Sequence, residues 1–335
     1  MFTIWTTNQC NLKCKYCYEG DNKINSNMNI MVADATIKWI VEWMKENKEN
    51  ESTVRFHGGE PTLNMSVIKY IIEELKKYDD VCRFSYEITT NGYSLKDEDI
   101  DFLTKNMDAL SISLDGTKLN NDKYRVTFNG NGTFEAVFKN ALKLKSKSDR
   151  VTIRMTLKPS EVKNMVDNIM FYVRNGFKSI SIAVDIWDDE WSTELLDEVE
   201  VVYARLYDLF ELEKIEDVEI NNIFVSELKK RRCEGGIKGF QIDTNGNLFP
   251  CTYTVGDMEF LCGTVFEGID KKKIGCFEKI YDIPIETCEG CTNYEGCMSV
   301  RCKFINKKRM GEFDSPIPIL CEIEHRKINY MCKNT

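Results

Sequence analysis

The 335-residue sequence predicts an α/β fold in which successive βα units surround a parallel sheet, followed by a smaller cysteine-rich region. Three observations predict it. From residue 1 to about 190, short β-branched or aromatic runs alternate with amphipathic segments, as parallel βα units require. Six such units follow one another. Beyond about residue 226 the rhythm stops, and Gly, Cys, Asn and Pro dominate. A chain this long can bury a large core and hold a main domain plus a smaller one, expected here as residues 1–225 and 226–335.

The strands are expected at Phe2–Thr7, Thr53–Phe56, Phe84–Thr89, Leu110–Leu114, Val151–Leu157 and Ser179–Val184. Between them, Ala33, Ile37, Ile40, Val41 and Met44 recur at helical spacing. So do Val67, Ile68, Ile71, Ile72 and Leu75, and later Phe134, Val137, Phe138, Ala141 and Leu142. These stripes read as core. A further helix is expected from about Thr193 to Leu212, and Asn245-Gly246 reads as a hairpin turn between Phe240–Asp243 and Leu248–Phe249.

Composition narrows the function. The chain has 14 cysteines, no N-terminal basic-then-apolar signal and no apolar run of membrane-spanning length, which places it in the cytosol, off the membrane. Thiols there are reduced and point to metal ligation. A net charge of -9 argues against nucleic-acid binding, which needs a basic face. Lys229-Lys230-Arg231-Arg232 and Lys307-Lys308-Arg309 are local basic runs that read as solvated surface. His57 and His325 are the two histidines, so histidine chemistry is disfavoured, and His57 reads as structural.

Chemistry enters at Cys10-Asn-Leu-Lys-Cys14-Lys-Tyr16-Cys17, where three thiols stand at C-x3-C-x2-C spacing after the first strand. Three thiolates leave one coordination position open, as reactive metal sites do, although the spacing alone also suits half a zinc site. After the second strand comes His57-Gly58-Gly59-Glu60-Pro61. Its glycines permit close backbone approach, and its acceptors suit an ammonium group.

Together these two motifs resemble the radical S-adenosylmethionine (SAM) superfamily. The resemblance implies an open, partial (βα)6 TIM-like barrel with its site at the C-terminal strand ends. It implies that Cys10, Cys14 and Cys17 hold a [4Fe-4S] cluster whose open iron is chelated by SAM. Tyr16 would then lie by the adenine, and Gly58, Gly59 and Glu60 would hold the SAM amino group. At later strand ends, Ser113 would bond the ribose and Arg154 the carboxylate, while Asn91-Gly92 and Asp115-Gly116 read as turns. Asp122-Lys-Tyr-Arg125 resembles a stretch of the relatives but receives no role.

The C-terminal cysteines resemble the SPASM extension of that superfamily. Cys233 precedes Gly246-Asn-Leu-Phe-Pro-Cys251, and then come Cys288-x2-Cys291-x5-Cys297, Cys302 and Cys321. Cys297 and Cys302 enclose four residues where the family has three. Cys288-x2-Cys291 alone also reads as a zinc ribbon. The resemblance implies two auxiliary [4Fe-4S] clusters, three in all. One would use Cys233, Cys251 and Cys302, and the other Cys288, Cys291, Cys297 and Cys321. Where relatives add a fourth ligand to the first, this chain has Gly239, which leaves an open iron unless Cys262 or Cys276 fills it. Cys82 and Cys332 read as incidental thiols.

The implied reaction is reductive SAM cleavage to a 5′-deoxyadenosyl radical that abstracts hydrogen from a peptide. The leading expectation is maturation of a ribosomally made peptide by a thioether or similar cross-link. Sulfatase-type formylglycine formation is the alternative, weakened because Thr252 stands where that subfamily has an Asp base. A non-catalytic electron carrier or redox sensor is the third reading. The expected partners are a peptide, a flavodoxin- or ferredoxin-type electron donor and a separate leader-recognition protein, since the sequence begins almost at the first cysteine motif. Asp185, Asp188, Asp189, Tyr253 and Asp257 are candidates for a catalytic base.

Overall fold

The computed structural model describes residues 1–20, 25–221, 233–294 and 297–334. The Lys229–Arg232 run, the expected boundary near residue 226 and the side chain of Cys332 lie outside the described residues. Six parallel βα units form as expected. They run β1 (Phe2–Thr7), α1 (Ile30–Glu46), β2 (Glu51–Gly58), α2 (Met65–Leu75), β3 (Arg83–Thr90), α3 (Asp97–Asn106), β4 (Ala109–Ser113), α4 (Lys118–Tyr124), α5 (Phe134–Lys147), β5 (Val151–Leu157), α6 (Met165–Arg174), β6 (Ser179–Val184) and α7 (Thr193–Leu212). After them come β7 (Glu219–Asn221), β8 (Phe240–Ile242), β9 (Leu248–Phe249), α8 (Lys271–Tyr281), α9 (Met298–Arg301), α10 (Lys303–Met310) and α11 (Pro318–Asn334).

The sheet is open and ordered β7-β6-β5-β4-β3-β2-β1-β8-β9. It adds β7 to the six parallel strands and the hairpin pair read from the sequence. Every residue of β1 is buried, because the strand has neighbours on both edges. Phe2 faces Val54 on one side and Phe240 on the other. Phe240–Ile242 pairs antiparallel with β9, the hairpin expected around Asn245-Gly246, and aromatic packing draws its other edge against β1. Phe2 meets Trp39 and Trp43 edge-on at 5.8 and 5.4 Å, and Trp39 meets Phe240 at 5.4 Å. The cysteine-rich region therefore begins inside the main sheet.

The helical stripes pack as the periodicity requires. Asn29 caps α1 by accepting from the Val32 N–H at 3.0 Å. In α5 the buried line is Phe134, Val137, Ala141 and Leu144, while Leu142 is exposed, a correction to the expected stripe. Asp122 secures the start of that helix, accepting from the Thr133 and Phe134 N–H groups at 2.8 Å each while pairing with Lys118 at 2.9 Å. Among the described residues no helix is long and apolar enough to cross a membrane.

Burial pushes the Asp122 carboxyl up, but hydrogen bonds from Lys118, Asn121 and the two N–H groups outweigh it and hold the group below its usual range. A depressed acid stabilises the fold above its unfolded pKa, about 4 for Asp, and that contribution fades as pH falls below this value. Asp122→Asn should therefore cost about 0.5–2 kcal/mol at pH 7, the range for a lost helix cap. Urea unfolding at pH 7 and at about pH 3 should show the gap from wild type closing in acid.

Candidate active site

The C-terminal ends of β1 to β6 surround a cavity of about 400 Å3. Cys10, Cys14 and Cys17 line one side of it, and Gly58, Gly59 and Glu60 line the side beside them. The glycines do more than admit a ligand. A Cβ on Gly58, whose φ is +142°, would stand 2.1 Å from the Thr7 carbonyl oxygen, and one on Gly59 would stand 2.3 Å from that of Gln9. The cysteine loop lies directly against these two residues. Gly59 N donates to Thr7 O at 3.0 Å and Glu60 N to Gln9 O at 2.7 Å, locking the two motifs together.

The Glu60 carboxylate is buried and already engaged. Its Oε1 accepts from the Thr62 N–H, the Thr62 hydroxyl and the Thr90 hydroxyl at 3.1, 2.5 and 2.7 Å, and its Oε2 accepts from Asn91 N at 2.6 Å. Burial raises its pKa while these donors oppose the rise. The expectation that Glu60 serves a ligand amine is thus narrowed: the residue first ties β2 to β3, and only Oε2 has acceptor capacity to spare. Asn91, read as a turn residue, also donates to Cys10 Sγ at 3.7 Å and to Asn11 Oδ1 at 2.8 Å.

Tyr16 lines the cavity but its hydroxyl is committed elsewhere. Arg125 donates to it at 2.6 Å, and it forms a very short hydrogen bond with Asp115. Asp115 in turn accepts from Thr156 N at 2.8 Å. Backbone bonds from Lys13 N to Val126 O (2.8 Å) and Lys15 N to Tyr124 O (3.0 Å) lay the loop along the segment after α4. The Asp122–Arg125 stretch, given no role from sequence, is the outer wall of the cysteine loop. Long-range pairing of this kind leaves no periodic signal.

Ser113 and Arg154 sit opposite each other in the β4–β5 register, and both line the cavity. The cavity's other arginines are engaged, Arg55 with Glu87 at 2.6 Å and Arg125 near Asp115 at 3.9 Å, and Lys158, outside the lining, pairs with Asp185 and Asp188 at 2.9 and 2.6 Å. Arg154 has no carboxylate partner among the described residues and is free to receive an anion.

The five candidates for a base separate. Asp185 and Tyr253 line the cavity, whereas Asp188, Asp189 and Asp257 do not. Asp188 is held by Lys158 and the Glu190 N–H (3.0 Å), Asp189 by Arg309, and Asp257 by Lys308 at 2.9 Å. Those three serve local ion pairs, a correction to their candidacy. Tyr253 packs on Tyr18 at 5.0 Å and Trp187 at 5.8 Å, forming an aromatic wall that sequence reasoning missed in part. Thr252 donates to Gln241 Oε1 at 3.0 Å.

A sequence profile described as the Radical SAM superfamily matches residues 4–173, half of the chain. The chain belongs to the radical SAM superfamily. Among curated proteins it is 26% identical over 284 residues to a cysteine-type anaerobic sulfatase-maturating enzyme of Clostridium novyi, covering 78% of this chain and 75% of the relative. It spans about half the length of several other curated relatives. Among solved structures, native anSMEcpe with bound AdoMet and Cp18Cys peptide aligns over 100% of this chain and 97% of its own, with a TM-score of 0.81 at 18% identity. SuiB of Streptococcus suis bound to the precursor peptide SuiA aligns over 96% and 75%, with a TM-score of 0.69 at 17% identity. The fold expectation, a partial barrel with a cysteine-rich C-terminal region, is borne out, and the protein is a radical SAM enzyme.

The remaining thiols of this radical SAM enzyme fall into two groups. Cys302 and Cys251 are raised to about 12, by burial first and then by their neighbours, Cys233 acting on both and Cys251 on Cys302. Cys321 is raised by burial and by Cys297, Cys288 and Cys291. Neighbouring cysteines of this kind suit an iron–sulfur occupant. Cys262 is buried with its Sγ donating to Leu248 O at 3.1 Å, and Cys276 is exposed. Among the described residues no three His, Cys, Asp or Glu side chains close around a point as ligands of one ion.

Glu60→Ala removes the acceptor for four donors. A hydrogen bond to a charged group contributes about 1.5–3 kcal/mol, so the variant should be destabilised by at least that much. SAM affinity should fall by tenfold or more, measured by equilibrium dialysis under anaerobic conditions on the folded fraction.

Proposed function

We propose that this enzyme oxidatively matures a ribosomally made peptide by joining a cysteine sulfur to a carbon of the same peptide. The observation that carries this reading is the position of Cys233, Cys251 and Cys302. Thr252 and Tyr253, which follow Cys251 directly, form part of the cavity wall, and Tyr253 feels both Cys251 and Cys302. A thiol-rich centre thus stands immediately behind the place where substrate must lie. Relatives whose structures contain peptides support a peptide substrate.

In this reading Cys10, Cys14 and Cys17 hold the SAM-binding [4Fe-4S] cluster, and Arg154 and Ser113 receive the SAM carboxylate and ribose. Gly58, Gly59 and Glu60 position the amino group, and Tyr16 flanks the adenine. Bound SAM and its cluster supply a 5′-deoxyadenosyl radical that takes hydrogen from carbon. The protein's residues exclude water, hold the peptide against the Tyr18–Trp187–Tyr253 wall and keep its cysteine near the Cys233 group. The peptide loses one hydrogen atom, one proton and one electron as the C–S bond forms. Auxiliary clusters held by Cys233, Cys251 and Cys302 and by Cys288, Cys291, Cys297 and Cys321 would accept that electron, and a flavodoxin- or ferredoxin-type donor would supply the one for SAM cleavage.

Sulfatase-type maturation is the second reading, favoured by the match to a sulfatase-maturating relative. Against it, the residue after Cys251 is a threonine bonded to Gln241, not a carboxylate. Asp185, the carboxylate among the base candidates that line the cavity, is tied to Lys158.

Anaerobic incubation of the reconstituted enzyme with SAM, reductant and the peptide encoded beside its gene tests the choice. The product should be two hydrogens lighter and lack one free thiol per cross-link by mass spectrometry. An aldehyde in place of a C–S bond, or full turnover of a cysteine-free peptide, overturns cross-linking. Replacing Cys10, Cys14 and Cys17 together by Ala should abolish SAM cleavage and leave two clusters by iron analysis. Stoichiometric zinc after anaerobic purification would defeat the auxiliary-cluster assignment.

A further inference from the structure

Asn91, just after β3, makes contacts that a turn alone does not require. The residue is 7% exposed. Its Oδ1 accepts from Tyr93 N at 2.9 Å, which closes an Asx turn and settles which end of the amide is which, since a backbone N–H can only donate. The amide nitrogen therefore faces the cysteine loop. It carries two hydrogens and meets two acceptors, Asn11 Oδ1 at 2.8 Å and Cys10 Sγ at 3.7 Å. Asn11 is oriented in turn, because its own Nδ2 donates to Ser94 Oγ at 2.9 Å. The backbone here is held as firmly. Gly92 N donates to Thr90 Oγ1 at 3.0 Å, and Gly92 O accepts from Asn140 Nδ2 at 2.8 Å.

We propose that Asn91 is a positioning residue for the cluster held by Cys10, Cys14 and Cys17, donating one amide hydrogen to the Cys10 sulfur when that sulfur is a ligand and so raising the cluster's reduction potential. The inference rests on the reading that these three cysteines hold a [4Fe-4S] cluster. A ligated cysteine sulfur has no hydrogen and can only accept. The amide has a hydrogen for it even after serving Asn11, and it donates at every pH because it does not titrate.

Such a bond draws negative charge off the sulfur, which favours the reduced cluster, the form with one more electron. The potential therefore rises. Asn91 serves the SAM side through a different atom, since its backbone N–H donates at 2.6 Å to Glu60 Oε2, the oxygen with capacity left for an amine. The two duties are separable. A change of side chain removes the first and leaves the second in place.

The test is potentiometric EPR of the reconstituted full-length enzyme, following the signal that changes when SAM is added. Asn91→Ser keeps a hydroxyl oxygen that can accept from Tyr93 N but is too short to reach Cys10. It should retain its iron and its SAM affinity, while the midpoint potential falls by the equivalent of a tenfold change in the reduced fraction, about 59 mV for one electron. In wild type grown on 15N-labelled asparagine, pulsed ENDOR of the reduced cluster should show a nitrogen coupling that survives Asn11→Ser and is absent from Asn91→Ser. Full iron content with the potential unmoved overturns the inference, as does a potential that falls only together with SAM affinity, the mark of a displaced Glu60. If Asn91→Ser fails to load iron, the labelled wild type and Asn11→Ser decide, and absence of the coupling from wild type overturns the inference. Should Cys10, Cys14 and Cys17 together be changed to Ala with no loss of iron, the cluster reading itself falls, and the two failures are distinguishable.

Discussion

The site depends on one close approach between two stretches of backbone. The chain leaving β1 crosses the chain leaving β2 at a separation that leaves no room for a side chain on Gly58 or Gly59. Two hydrogen bonds seal the crossing, Gly59 N to Thr7 O and Glu60 N to Gln9 O. Each contributes about 0.5–1.5 kcal/mol net, which is modest. Their importance is geometric, because the cysteine loop has no secondary structure of its own and takes its course from this contact. Glu60 extends the junction to β3, and Asn91 returns it to Cys10, so three strand ends and one thiol form a continuous network.

Charge is arranged with the same economy. Around the cavity the cations Arg55, Arg125 and Lys158 each face a carboxylate within 4 Å. Buried charges are tolerated when paired and hydrogen-bonded, and these pairs brace the wall without creating a field for ligands. Arg154 stands apart from them on β5, beside Ser113 in the sheet register. A guanidinium so placed favours a carboxylate-bearing ligand over a neutral one.

Much of this architecture is legible in the sequence, for identifiable reasons. The strands β5 and β6 begin and end where alternation of Val, Ile and Thr begins and ends. The cysteine and glycine motifs show because covalent spacing along the chain carries their chemistry. What escapes is whatever depends on distant partners. The hairpin arm Phe240–Ile242 shows in the sequence but its parallel place beside β1 does not, and Arg125 becomes a brace only beneath Tyr16. Asp188, Asp189 and Asp257 sit in a suggestive part of the sequence, yet basic neighbours at Lys158, Arg309 and Lys308 absorb them, and such pairings leave no trace in local pattern. Glu60 is intermediate, its presence foretold but its four donors not.

The insertion of β8 beside β1 has a consequence for how the chain acquires its shape. The strand Phe2–Thr7 waits for a neighbour that begins at Phe240. Contacts of such sequence separation are slow to form, since loop closure must precede any gain from pairing. During synthesis the first βα units can assemble on one edge of β1 while its other edge remains bare, an open template for unwanted pairing. The aromatic cluster of Phe2, Trp39 and Trp43 is already present at that stage and lacks only Phe240. Completion of the barrel core is therefore a late event, coupled to delivery of the segment that carries Cys251, and a chain truncated before residue 240 would leave its first strand half-clothed.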